Sequence, residues 1–233
     1  MFKHAAFASL LFATSALAQS APILLTTPAP LADNVEAFPK LIGDDPIFAQ
    51  INADLSQRDA DALAQSQDCL SQAGSDWAHF ISVTFAGPHY LNYVATNDYY
   101  CAGAAHPNSD LSSIAYDLTT GRLVDWHDLL PPALVASEFP DEGPAGGAVG
   151  SDALTSLYLA HYPADTDEAC PSVVRENELH FLFRLDAAEH ALMMFPAYMP
   201  HAVQVCGEVA TIPLAELRGL GAAPKLISAL AAD

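Results

Sequence analysis

The chain has 233 residues, 52% of them apolar, and carries 8 Lys+Arg against 28 Asp+Glu for a net charge of −20. Such an apolar share excludes disorder as the default state, and the charge excludes nucleic acid and anionic lipid as natural partners while it attracts cationic ones. Beyond the N-terminus, no stretch is long and apolar enough to span a bilayer.

The first 18 residues read as an address. Lys3 and His4 precede an apolar run from Ala5 to Leu17, and Ala16-Leu17-Ala18 is an A-x-A cleavage site. These are the parts of a secretory signal peptide over residues 1–18. The mature chain is therefore expected to begin at Gln19 and to be periplasmic or secreted, with no membrane span after cleavage. Losing Lys3 makes it one charge unit more acidic still. Removing 18 residues from 233 leaves 215, enough for one sizeable core.

The four cysteines, Cys69, Cys101, Cys170 and Cys206, all follow the leader. An even count in an oxidising compartment favours two disulfides, and three connectivities are open. Pairing within each half of the chain, Cys69 with Cys101 and Cys170 with Cys206, is the expected one. A zinc site is disfavoured because there is no C-x-x-C and no cysteine at ligand spacing from a histidine. No metal and no cofactor are expected.

Residues 19–34, rich in Pro, Ala and Thr without apolar periodicity, read as a flexible lead or an edge segment, with order beginning near Phe38 and the lead therefore taken as 19–37. The first half then covers residues 38–137. Asp45-Pro46 is a helix start, a capping carboxylate followed by proline at the first helical position, and Ile47, Ile51 and Leu55 share a face. A second amphipathic stretch, 59–73, carries Cys69. From Trp77 the period changes to two: Ile81, Val83 and Phe85 alternate with Phe80, Ser82 and Thr84, and Gly87-Pro88 turns the chain into a second strand from Tyr90 to Thr96. A third strand, Ser112 to Leu118, is followed by a hairpin turn at Thr119-Thr120-Gly121-Arg122. Asp125 caps a short helix, Trp126 to Leu130, that Pro131-Pro132 stops.

Glu138 to Gly150 (EFPDEGPAGGAVG) reads as an internal linker. The second half, 151–233, is expected to complete one compact domain with the first. In it Leu154, Leu157, Tyr158 and His161 share a helical face ended by Pro163. Leu179, Phe181, Phe183 and Leu185 form a strand face opposite His180, Leu182 and Arg184. Further strands are expected at Ala191 to Phe195 and Glu208 to Ile212, and a last helix at Leu214 to Arg218. Helices followed by hairpins, without strict βαβ alternation, predict an α+β fold: an antiparallel sheet of hairpins packed by helices.

Four segments recur in this order in one known group. They are Phe38-Pro39-Lys40-Leu41-Ile42-Gly43 leading into Gln50-Ile51-Asn52; Tyr99 to Asn108, ending in Gly103-Ala104-Ala105-His106-Pro107-Asn108; Tyr116-Asp117-Leu118-Thr119-Thr120-Gly121 with Asp128-Leu129-Leu130; and Phe195-Pro196 through Tyr198 to Ile212-Pro213. From roughly Phe38 to Arg218 the chain resembles the extracytoplasmic domain of unknown function shared by the lysozyme-sensing anti-sigma factor RsiV and the N-terminal part of the peptidoglycan deacetylase PdaC. Here Ala104 stands where that group usually has the second of two glycines. The resemblance implies an RsiV ectodomain-like α+β fold outside the cytoplasmic membrane, in some members binding lysozyme or joined to cell-wall enzymes. The expectation is of such an ectodomain without a sigma-binding region or a deacetylase domain.

The sequence offers no nucleophile elbow, zincin helix, phosphate loop or calcium loop. Asp165, Asp167 and Glu168 cluster as a solvated turn. His106, after a small-residue turn, is the leading candidate for function, with a structural role in holding that turn as the rival reading. Binding is expected to involve His106, Asn108, Tyr99 and Tyr100. If there is catalysis, His106 would be the acid/base with Asp110 or Asp117 beside it, acting on envelope polymer. Tyr90, Tyr93, Tyr99, Tyr100, Trp77 and Trp126 are read mostly as core, with a concave aromatic face for glycan or peptide as the alternative. The function expected is that of an exported, non-catalytic envelope binding or accessory protein. Its expected partner is a cationic protein such as lysozyme, or a cell-wall glycan.

Overall fold

The computed structural model describes residues 23–135, 147–163, 168–197 and 199–231. The leader, most of the linker, and Asp165 and Asp167 lie outside the described residues.

Asp45 caps the first helix as expected, its Oδ1 accepting from Ile47 N at 2.8 Å. The helix, α1 (Pro46–Leu70), then runs unbroken for 25 residues, where two stretches were expected. No proline or glycine interrupts it, and Arg58 and Gln57 bond Asp54 and Asp61 one turn away, so the seam is reinforced. Three long antiparallel strands follow: β1 (Asp76–Ala86), β2 (Tyr90–Tyr100) and β3 (Asn108–Asp117). The short β4 (Arg122–Leu123) closes the expected hairpin and completes a four-stranded sheet in the order β1-β2-β3-β4. Asp125 caps a 3-10 turn at Trp126–Asp128, and α2 (Pro132–Val135) begins at the prolines expected only to end the preceding helix. Proline suits a first turn, since its missing N–H has no helical partner there.

The second sheet contains β5 (Val149–Gly150), β6 (His180–Asp186), β7 (Ala191–Ala197) and β8 (Ala210–Pro213), in that order and all antiparallel. Around it lie α3 (Asp152–Ala160), α4 (Cys170–Glu176), α5 (Leu214–Leu220) and α6 (Pro224–Leu230). The α+β class and antiparallel pairing are as the sequence predicts, with the strands divided between two sheets. The helices α4 and α6 were not expected, each being a seven-residue piece opened by a proline in its first turn and too short to show a period.

Two expectations are corrected. Of the two readings of the lead, flexible or edge segment, the flexible one to residue 37 is corrected: Leu25 bridges Leu41, Thr26 N donates to the Lys40 carbonyl at 2.8 Å, and fully buried Val35 bridges His79 of β1, an edge strand. Isolated bridges, unlike a ladder, leave no alternating pattern to read. The end of the expected linker is β5, which pairs with Phe181 and His180, with Ala148 and Val149 buried. Gly150 there is a packing requirement, because a Cβ would lie 2.9 Å from the Leu179 carbonyl oxygen.

The first sheet has two covered faces. Leu91, Tyr93, Ala95, Ile114 and Tyr116 pack under α1 with Phe38, Leu41, Ile51 and Leu55. Phe85, Tyr90 and Ala115 belong instead to the large core shared with the second sheet and its helices. The two sheets meet at a register shift in β1 between Val83 and Phe85. The shift is a bulge: it leaves Val83 exposed, sends Phe85 into the shared core, and presents the Thr84 carbonyl to Ala187 N at 3.1 Å. Beside it, fully buried Asn92 donates through Nδ2 to Tyr93 O, Ser113 Oγ and Ile114 O, while its Oδ1 accepts from Leu185 N of β6 at 2.6 Å.

Both expected disulfides are present, and no described cysteine is free. Cys69–Cys101 ties the end of α1 to the end of β2, and Cys170–Cys206 ties the start of α4 to the 3-10 turn at His201–Cys206. Peptide mapping of the non-reduced protein is expected to recover these two pairs, and serine at either pair to cost about 3–4 kcal/mol; a crossed pair in the map would contradict the topology. Truncating Asn92 to Ala is expected to cost about 3 kcal/mol, since it leaves buried Leu185 N without its acceptor and removes the amide bonds to Tyr93, Ser113 and Ile114. A urea midpoint within error of wild type would show that the sheets hold together without it.

Candidate functional site

The loop between β2 and β3 is built from its own backbone. Ala102 N donates to Ser75 Oγ at 2.8 Å and Ala104 N to the Cys101 carbonyl at 3.0 Å, while the disulfide anchors the start. Gly103 takes φ +97°, a left-handed value, and Ala104 has no positive φ. The single glycine therefore satisfies the turn, and alanine in the next place costs no strain.

His106 is exposed, and its Nδ1 lies 2.9 Å from the Pro107 carbonyl, an oxygen that only accepts, so the proton sits on Nδ1. A ring bonded to a loop carbonyl is what the structural rival reading requires, although this bond reaches only the next residue. Nearby, Asn108 lies directly across from Tyr99 and donates to its hydroxyl at 3.0 Å. Tyr99 stacks on Trp77 with ring centroids 4.9 Å apart. Burial, with the Asp110 carboxylate beside it, pushes the Tyr99 phenol above its ordinary value, against the bond from Asn108. Tyr100 is half-buried, one residue on. The loop, Tyr99, Asn108 and Asp110 thus share one end of the first sheet.

Asp117 does not join them. It ends β3 opposite Tyr90, nine residues from Asn108, about 30 Å along an extended strand. The expected pairing of His106 with Asp117 is therefore excluded by strand length. Of the six aromatics, Trp77, Tyr90, Tyr93 and Trp126 are buried, as read, so they form no open aromatic face.

At the other end of the sheet the structure forms a cleft that the sequence did not disclose. It has a volume of about 830 Å³ and lies between α1, the β3–β4 hairpin, the 3-10 turn and α6. Gln50 of α1 holds the hairpin through its Nε2, 3.0 Å from the Gly121 carbonyl. Asp54 Oδ2 accepts from the Tyr116 hydroxyl and from Arg58 Nε at 2.9 Å. Asp117 Oδ1 accepts from Thr119 N at 2.8 Å and from its hydroxyl, and Lys225 Nζ stands 3.6 Å from Oδ2. Burial alone would raise both carboxyls. For Asp54, the bonds from Tyr116 and Arg58 and the Arg58 charge outweigh it; for Asp117, the Thr119 bonds and Lys225 do, so both titrate below the ordinary value of 3.8. Burial, with the Asp54 bond, raises the Tyr116 phenol. The hairpin at Thr119–Arg122 and Asp117 were legible in the sequence, and the spacing of Asp54 and Arg58 one helical turn apart is a further signal for the α1 wall of this site.

Among the described residues, no group of three or more His, Cys, Asp or Glu is placed to hold a metal ion, and no helix is long and apolar enough to cross a membrane.

No protein-family model matches the chain, and no curated protein matches it. Solved structures resemble it in fold. A DUF3298 family protein from Pseudomonas aeruginosa PAO1 is 13% identical, with a TM-score of 0.50 over 88% of this chain and 94% of that one. A member of the same family from Bacteroides fragilis NCTC 9343 is 17% identical, with a TM-score of 0.43 over 81% and 74%. The fold is thus that of the DUF3298 protein from Pseudomonas. DUF3298 is the family of the RsiV/PdaC-type extracytoplasmic domain, in agreement with the resemblance carried by the sequence motifs.

Because the folded state depresses Asp54 and Asp117, their contribution to stability is complete above 3.8 and is lost as the pH falls through their lower folded values. The urea midpoint is expected to drop between about pH 5 and pH 2, and Asp54→Asn to flatten that drop; an unchanged slope in the variant would deny the network its role.

Proposed function

We propose that this protein is an exported, non-catalytic binding or accessory protein of the cell envelope, with a cationic protein of lysozyme type as its partner. The observation that carries this reading is the excess of 28 acidic over 8 basic residues on a disulfide-bonded extracytoplasmic fold. Disulfides persist in oxidising compartments, which supports a periplasmic or secreted location. The acidic surface favours encounter with a basic partner, above all at low salt. The exposed loop end with His106, Asn108, Tyr99 and Tyr100 supplies the contact: a rigid turn beside a stacked aromatic pair, which orders little on binding. A cell-wall glycan is the other ligand the same end would suit, through Tyr99 and Tyr100.

Catalysis at this loop lacks a motivating arrangement. His106 Nδ1 is engaged with the Pro107 carbonyl, and of the two carboxylates expected near it only Asp110 is at that end of the sheet.

Calorimetry with lysozyme at low salt is expected to give saturable binding that weakens with salt and exceeds that of an equally acidic control protein. His106→Ala with Tyr100→Ala is expected to weaken it about tenfold with Tm little changed. Binding no stronger than the control would remove the lysozyme form of the proposal, and cosedimentation with cell-wall glycan would then test the other ligand.

A further inference from the structure

We propose that the cleft at the β3–β4 end of the first sheet binds a primary alkylammonium ligand, whose N–H groups are shared between the Asp117 carboxylate and the Tyr90 hydroxyl. This site is at the opposite end of the sheet from the His106 loop, and it stands whether or not a cationic protein docks there.

The first observation is the lining. Asp54, Asp117, Asp125 and Asp128 face the cleft against Arg122 and Lys225, within a volume of about 830 Å³ that suits a small molecule. The second is independent of charge. Tyr90 is 1% exposed and forms part of the cleft wall, yet its buried hydroxyl has no hydrogen-bond partner. It pairs directly across from Asp117, so the two side chains lie on one face of the sheet. A buried hydroxyl left unpaired is costly, and a ligand donor placed between it and Asp117 would recover that cost.

The third is Lys225, which shows what the cleft accepts. It is the second residue of α6, where a cation opposes the helix dipole. Its position is set by Ala223, whose N–H donates to the Leu129 carbonyl at 2.8 Å and fixes the start of α6 against the 3-10 turn. Nζ stands 3.6 Å from Asp117 Oδ2, beyond a hydrogen bond, and the side chain is 48% exposed. An alkylammonium from the same chain thus approaches the carboxylate without bonding it. A ligand ammonium, with three donors and no tether, reaches Asp117 and Tyr90 together and displaces Lys225. The donor set favours an ammonium over an anion, which four carboxylates repel, and over a stacked sugar, because the Tyr90 and Tyr116 rings are buried.

Titration calorimetry with 1,5-diaminopentane, and with 1,5-pentanediol as the uncharged counterpart, tests this. The diamine is expected to bind at one site and the diol not at all. Tyr90→Phe is expected to weaken the diamine about tenfold with no loss of Tm, since it deletes an unpaired hydroxyl. Lys225→Ala should tighten binding several-fold, while Arg175→Ala, which removes the same charge from α4 outside the cleft, should leave it unchanged. A lysine-containing acetylated tripeptide amide distinguishes a peptide side chain from a free amine as the source. No binding of either amine, equal binding of the diol, an unaltered Tyr90→Phe, or an Arg175→Ala effect as large as that of Lys225→Ala would each overturn the proposal.

Discussion

The side chain of Asn92 is where the two sheets become one structure. It is buried, and it spends its amide hydrogens on Tyr93, Ser113 and Ile114 within the first sheet while its oxygen takes Leu185 N from the second. The adjacent bulge in β1 makes the second link, Ala187 N to Thr84 O. Without the bulge, Phe85 would continue the alternation of Ile81 and Val83, and β1 would lose its apolar anchor in the shared core, leaving that to Tyr90 and Ala115 of the neighbouring strands. A buried polar residue is tolerable here because both ends of the Asn92 amide are matched, and such matching admits one register between sheets.

Lys40, Gln50 and Asn52, polar residues of the first resembling segment, prove to be braced or braces, together with Asp59 and Tyr93 outside it. Asn52 bonds both the N–H and the carbonyl of Leu41, Asp59 takes Phe38 N and the Lys40 ammonium, and the Tyr93 hydroxyl donates to the Pro39 carbonyl. Gln50 holds the hairpin at Gly121. These contacts fasten the N-terminal segment and the β3–β4 hairpin to α1.

The first sheet therefore carries two unlike ends. One is a turn tied by a disulfide and by its own backbone, with an exposed histidine and a stacked Trp77–Tyr99 pair. The other is a charged cleft whose wall includes a buried hydroxyl without a partner. Each end keeps a buried polar atom without a partner: Trp77 Nε1 and Asn108 Oδ1 at the first, the Tyr90 hydroxyl at the second. Sites whose polar groups are not satisfied internally are those where an outside group has something to gain.

The sequence by itself determined the features encoded within a few residues: the Asp45 cap, the alternation of the strands, the hairpin at Gly121, the small-residue turn before His106 and the α+β class. It also indicated the disulfide pairing through the placement of two cysteines in each half. Only the tertiary structure decided that the strands form two sheets, that the proline-rich segment before Phe38 is stitched to β1, and that Asp117 stands with Tyr90 and Lys225 rather than with His106. The physical reason is that caps and turns depend on local backbone energies, which neighbours in sequence set. By contrast, Leu185 reaches Asn92 across 93 positions, and Lys225 approaches Asp117 only because α6 is docked on a core drawn from both sheets. Periodicity reports that a side chain is buried, and packing alone decides against what.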